Sequence, residues 1–222
     1  MFITAFSGMV AGALHVLSGP DHLTAIAPLV VNARRRRWSV GLRWGLGHAT
    51  GVLLLAAFAF WLRDVVPVHS LSSWCERLVG LLLIGIGLWG IRQALADRVH
   101  THEHVHDGQR HAHIHLHGPA AEHAQPRAHA HSHTSFAIGT VHGLAGGSHL
   151  LGVLPAIGFV SRGGALVYLI AFGAGTILAM VFFSSAVGML AEKFSFNNAR
   201  SYRLLMGTCA SLALLLGCYW LT

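Results

Sequence analysis

Long apolar blocks alternate with short polar stretches along the chain. Six blocks, roughly 5–31, 39–62, 75–96, 135–160, 164–190 and 202–221, reach the roughly 20 residues that a spanning helix needs. The pattern predicts an all-α integral membrane protein with six transmembrane helices. Between the third and fourth blocks the pattern changes. Residues 97–134 are polar and carry His100, His102, His104, His106, His111, His113, His115, His117, His123, His129, His131 and His133. Alternation at period two suits a strand. The intervening Ala, Gly, Pro and Gln offer no core to bury, however, so a disordered loop is expected here.

One polar cassette inside the apolar pattern occurs twice. Shifting the chain by 127 residues places Gly12 on Gly139, His15 on His142, Leu17 on Leu144, Gly19 on Gly146, His22 on His149, Leu23 on Leu150 and Pro28 on Pro155. Two apolar helices can align Leu and Gly by chance, but rarely two His pairs and a Pro as well. Weaker echoes follow: Gly47-His48-Ala49-Thr50 parallels Gly173-Ala174-Gly175-Thr176, and Arg77-Leu78 parallels Arg203-Leu204. Each copy holds three helices. An odd number makes the second copy enter the membrane in the opposite sense, as in the inverted repeats of many secondary transporters. The expected organisation is a first three-helix repeat over 1–96, the His-rich cytoplasmic loop over 97–134 and a second repeat over 135–222.

Charge orients this plan. Arg34, Arg35, Arg36 and Arg37 sit between the first two blocks, and positive residues stay cytoplasmic. With that loop inside, both termini lie outside. Arg43, Arg92, Arg98, Arg110, Arg127, Lys193, Arg200 and Arg203 then join it inside, against Arg63, Arg77 and Arg162 outside. The net charge of +7 is thus a topology signal rather than a nucleic-acid surface. Only 10% of residues are charged and 54% are hydrophobic, well away from the roughly 25% charge of soluble domains. Cys75, Cys209 and Cys218 form no Cys-x-x-Cys pair and no disulfide framework. The first residues lack the positive region of a signal peptide, so the first block is expected to be retained.

The chemistry gathers in the repeated cassette. Asp21 is the one acidic residue in the interior of a predicted span, where a charge costs at least about 2.5 kcal/mol and usually serves a site. His15, His22, His142 and His149 are the candidate metal ligands beside it, since neutral imidazole suits Ni, Co, Cu and Zn. In an unbroken helix His15 and His22 would stand about 10 Å apart along the axis. Gly19-Pro20 offers a break, because Pro20 has no N–H and its ring clashes with the carbonyl of Val16. The break brings the two histidines together or leaves them as successive stations. Gly146-Gly147 weakens the fourth helix at the equivalent place. His48 is balanced between a pathway role and packing. Thr50 and Thr176 offer oxygen ligands but also suit helix–helix bonding. The His-rich segment is expected to bind divalent metals as an auxiliary site, less firmly below about pH 6.5 as imidazoles protonate.

His15 and Gly19-Pro20-Asp21-His22-Leu23-Thr24-Ala25-Ile26 resemble the His/Asp signature helix of the nickel/cobalt transporter superfamily, in particular its smaller UreH-type permeases and the NicO group. The resemblance covers the whole chain in architecture and about a dozen residues in motif. It implies a multi-pass carrier of Ni²⁺ or Co²⁺ in the cytoplasmic (inner) membrane, with His15, Asp21 and His22 selecting the metal. The larger nickel permeases have His-x-x-Asp-x-Asp-His. Here Ser18 stands at the first acidic position and the His–His spacing is one residue longer, which bears on metal identity and leaves Zn²⁺ or another divalent ion open.

The same plan also resembles LysE-type amino-acid exporters, which need no paired His, and CcdA-type thiol–disulfide conduits. The latter need a Cys in helices one and four, where this chain has none. A membrane metalloenzyme lacks support, since there is no His-Glu-x-x-His. The expected activity is therefore transport without chemistry: no catalytic residues, no resident cofactor, a lipid bilayer and divalent metal ions as partners, and no nucleic acid. Direction, protons as coupling ion and homo-oligomerisation stay open.

Overall fold

A computed structural model describes residues 1–33, 36–62, 68–95, 99–106, 109–116, 132–145, 161–195 and 199–222. Among them are seven helices: α1 (Phe2–Ser18), α2 (Pro20–Asn32), α3 (Arg37–Leu62), α4 (Val68–Leu95), α5 (Ser132–Ala145), α6 (Arg162–Ser195) and α7 (Ala199–Tyr219). The first apolar block is thus two helices rather than one. Gly19 is extended (φ −88°, ψ 101°) and Pro20 takes the first position of α2, where its missing N–H costs nothing. The axes of α1 and α2 meet at 72°.

Among the described residues, Glu76–Leu95, Arg162–Lys193 and Arg200–Tyr219 are long and apolar enough to cross a bilayer, and the bent pair α1–α2 makes a fourth candidate. Large apolar side chains stand on the outer surface of these helices, among them Phe2, Leu14, Ile170, Phe182, Leu204 and Leu215. A surface this apolar is stable against lipid and not against water, and the chain is a membrane protein. The second half of the predicted fourth span, with Gly146, Gly147 and His149, lies outside the described residues.

The helices pack in pairs: α1 on α6, α3 on α5, α4 on α7, with α3 also crossing α6. In lipid no hydrophobic force drives helices together, so close van der Waals approach must do so, and small residues permit it. A Cβ on Gly12 would collide with the carbonyl of Phe172, one on Gly175 with that of Met9, and one on Gly143 with that of His48. A Cβ on Gly87 would lie 2.8 Å from the carbonyl oxygen of Ala210, whereas one on Gly85 would meet open space. Val16, Ile26, Val30, Trp44, Leu83 and Met180 form the apolar centre of the bundle, and Val31, Ala94, Ala191, Tyr202 and Met206 a smaller one beside it.

Arg37 fastens one end. Its guanidinium donates to the carbonyls of Ala33 (2.6 Å) and Gly188 (2.7 Å) and pairs with Glu192 at 2.9 Å, tying the start of α3 to the end of α6. At the same end the Tyr202 hydroxyl donates to Asn32 Oδ1 (3.2 Å), tying α2 to α7.

The His-rich segment is described over 99–106 and 109–116. It contains an antiparallel hairpin, β1 (Val99–His106) and β2 (Gln109–Leu116). Its register sets His100 opposite His115, His102 opposite His113 and His104 opposite His111. The ladder satisfies backbone groups without a core. The connecting dipeptide, Asp107-Gly108, is the kind that two-residue hairpin turns favour. His117, His123, His129 and His131 lie outside the described residues, and His133 falls in the first turn of α5.

Two glycines one turn-half apart on α4 test the packing. Gly87→Ala drives a methyl into α7 and is expected to destabilise by about 1–3 kcal/mol, the usual cost of overpacking. Gly85→Ala leaves stability unchanged or raises it by up to about 1 kcal/mol through helix propensity. Thermal melting of the two variants in one detergent measures the contrast.

Candidate metal centre

The bend at Gly19 builds the site. It folds α2 back so that the His15 and His22 rings stand edge to face with centroids 4.7 Å apart. The bend depends on glycine: a Cβ at position 19 would strike His22 Nδ1 and lie 2.8 Å from Asp21 Oδ1. Asp21 falls in the first turn of α2, where the helix dipole favours an anion. The His22 backbone N–H closes the turn by donating to the Gly19 carbonyl (3.2 Å).

Asp21 is 2% exposed, and both its oxygens are used. His22 Nδ1 donates to Oδ1 at 3.1 Å and His142 Nε2, from α5, donates to Oδ2 at 3.2 Å. A carboxylate accepts only, so these two ring nitrogens carry the protons. His48 of α3 completes the group. Its ring centroid is 4.9 Å from that of His22, 5.8 Å from His142 and 5.9 Å from His15. His22, His48 and His142 are buried and His15 half-buried.

The ligand atoms of His15, His22 and His48 lie within 4.8 Å of one another, as do those of Asp21, His22 and His142. Donors around a tetrahedral ion with bonds of 2.0–2.1 Å stand about 3.3 Å apart. Small side-chain rotations therefore bring either trio onto a dication. Imidazole with one carboxylate is a donor set for borderline transition metals such as Ni²⁺, Co²⁺, Cu²⁺ and Zn²⁺, not for Mg²⁺ or Ca²⁺.

Trp44, one helical turn before His48, was not evident as a site residue from the sequence. Its indole is stacked on His48 (5.0 Å, 8° between planes) and touches His142 (5.2 Å) and His22 (5.8 Å), walling the group off from the core. The signal available was its spacing: Trp44 and His48 stand four apart, on one helix face.

The threonines divide. Thr176 is buried and its hydroxyl donates across to the Gly12 carbonyl of α1 at 3.4 Å. Thr50 is exposed and donates to the carbonyl of Leu46 in its own helix at 2.8 Å. Next to the site lies a cavity of about 440 Å³ between α3 and α6, lined by His48, Val52, Leu53, Leu166, Phe172 and Thr176 among others.

The chain is 32% identical over 190 residues to chloroplast protein FOR GROWTH AND FERTILITY 1 of Arabidopsis thaliana, a match that covers 85% of this chain and 50% of that protein. It is 33% identical over 190 residues to FOR GROWTH AND FERTILITY 2 of the same plant, with 85% and 48% covered. The chain thus spans about half the length of these two relatives. To the urease accessory protein UreH of Bacillus sp. (strain TB-90) it is 30% identical over 199 residues, covering 86% of this chain and 81% of that protein. No family model matches the chain, and no solved structure matches it.

Gly19→Ala is the sharpest single probe of the bend. It leaves every ligand in place chemically and displaces His22 and Asp21. Co²⁺ titration of the purified protein is expected to show affinity lowered by about tenfold or more, the scale on which misoriented ligands act, with the helical content unchanged by circular dichroism.

Proposed function

The chain belongs to the family of the urease accessory protein UreH, and from that premise we propose that it is a carrier for Ni²⁺ or Co²⁺ in the cytoplasmic membrane. The observation that carries this reading is the group of four imidazoles, three buried and one half-buried, around a buried carboxylate at a broken helix. A buried set of this kind is costly to keep for packing alone. It suits a cargo that exchanges water for nitrogen and oxygen ligands inside the membrane.

The proposed architecture is six spans in two inverted three-helix repeats, 1–96 and 135–222, with both termini outside. The helix pairing supports it. If α1 corresponds to α5, α3 to α6 and α4 to α7, the contact of α1 with α6 has its counterpart in α3 with α5, and α4 with α7 is its own counterpart. Met9 and Phe136, 127 residues apart, each receive a close glycine, Gly175 and Gly47 respectively. The site sits where the halves meet, with ligands from α1, α2, α3 and α5.

In transport, an ion reaches the site from one side, is held by His and Asp21, and leaves by the other after the halves rock. Close packing of Gly41 on Met180 and Ser184 seals α3 against α6 at the Arg37 end, while the cavity opens between their other halves. With the arginine-rich end inside, this is an outward-facing arrangement. The family resemblance covers both import and export, and protons are the proposed coupling ion. The hairpin histidines act as an auxiliary metal store at the cytoplasmic side.

Flux of Ni²⁺, Co²⁺, Zn²⁺, Fe²⁺ and Mn²⁺ into sealed proteoliposomes tests the reading. Selective Ni²⁺ or Co²⁺ flux is expected, abolished by Asp21→Asn and by His22→Ala. Absence of flux for every metal with a folded protein sinks it. Deleting residues 99–116 is expected to leave flux selective and to lower only the amount of metal bound per chain.

A further inference from the structure

Resting on the carrier reading above, the geometry points to two overlapping stations for one dication, with His22 common to both. Among the described residues, the five donors group as two trios: His15 with His22 and His48, and Asp21 with His22 and His142. His22 is the hub. Its ring lies 4.7 Å from His15 and 4.9 Å from both His48 and His142, whereas His48 stands 5.9 Å from His15 and 5.8 Å from His142.

The stations differ in access and charge. The first is all imidazole, includes the half-buried His15, and adjoins the cavity through His48. Phe172, another cavity residue, lies tilted against His15 with ring centroids 5.6 Å apart. The second is buried throughout and holds the carboxylate. In low dielectric that negative charge holds a dication far more firmly than neutral nitrogens do. An ion from the cavity thus meets the first station and moves to the second by exchanging His15 and His48 for Asp21 and His142, with His22 serving both positions. While the ion is in the first station, the Asp21–His22 bond orients the hub ring, as a carboxylate behind a ligating histidine commonly does. One hub imidazole serves one ion, so the two stations are never filled together.

The test uses Co²⁺, whose ligand-field spectrum reports its donors, with the full chain in detergent and flux in proteoliposomes. The variants are His48→Gln, His142→Gln and His22→Gln, each accepted only with wild-type elution and melting. Asp21→Asn probes the second station should His142→Gln not fold. Co²⁺ that His22→Gln still binds belongs to the His-rich segment and is subtracted. His48→Gln and His142→Gln are each expected to retain one Co²⁺ with two different spectra, the affinity of His142→Gln falling by about tenfold or more. Each is expected to lose flux. If both lose Co²⁺ as fully as His22→Gln, or share one residual spectrum, the group is a single site and the two-station proposal falls. Wild-type flux in His48→Gln and His142→Gln overturns the stations and leaves the carrier standing. Two distinct spectra with no flux in the wild type overturn the carrier and leave the stations standing.

Discussion

A carboxylate without water inside an apolar bundle is the constraint that organises this molecule. Removing an ion from water costs several kcal/mol even after relaxation, so Asp21 must be met on both oxygens. His22 and His142 meet it, at 3.1 and 3.2 Å. Each contact dictates a piece of architecture. The first lies inside the opening turn of α2, which the bend at Gly19 turns toward α1. The second requires α5 to pass within a hydrogen bond of that bend, so α5 must nest against α3 with glycine at the crossing. His48 and Trp44 then fall into the same space because α3 brings them there.

The nesting is done with backbone rather than side chains. Gly47, Gly51, Gly139 and Gly143 all lie along the α3–α5 seam, and each sets its missing Cβ against the partner's main chain. Lipid supplies no squeeze of the kind water supplies, so the attraction comes from many short atom–atom contacts. Such a seam is rigid and unforgiving. It fixes His142 and His48 relative to each other through the same residues that carry them, since the close neighbour of Gly143 is the carbonyl of His48 itself.

Much of this could be read from sequence, for physical reasons that differ by element. Helices α3, α6 and α7 match their apolar blocks within a few residues, because no proline interrupts those blocks. The break was legible in Gly19-Pro20, since proline denies Val16 its partner. The 72° angle was not, because it depends on what α2 packs against. His48 stood balanced because one histidine beside glycines says nothing about its neighbours in space; only the packing of α3 against α2 and α5 brings it to His22 and His142. The role of Trp44 comes from a ring plane that sequence does not carry. The strands of the hairpin follow the period-two alternation of 99–106 and 109–116, a signal that stands in the sequence without any apolar core beneath it. The place of His149 lies beyond the described residues.

Arg37 carries a consequence for how the junction of α3 and α6 answers to salt. One guanidinium binds two carbonyls and the Glu192 carboxylate across the junction of α3 and α6, and Glu192 is 55% exposed while Arg37 is 14% exposed. Half of this fastening therefore lies in reach of dissolved ions, and half does not. Mobile counterions weaken the carboxylate half, with a screening length of about 8 Å at physiological ionic strength, and leave the carbonyl half intact. Ionic strength on that face thus becomes a dial on how firmly α3 is held to α6 at this end, set apart from the buried carboxylate and its histidines.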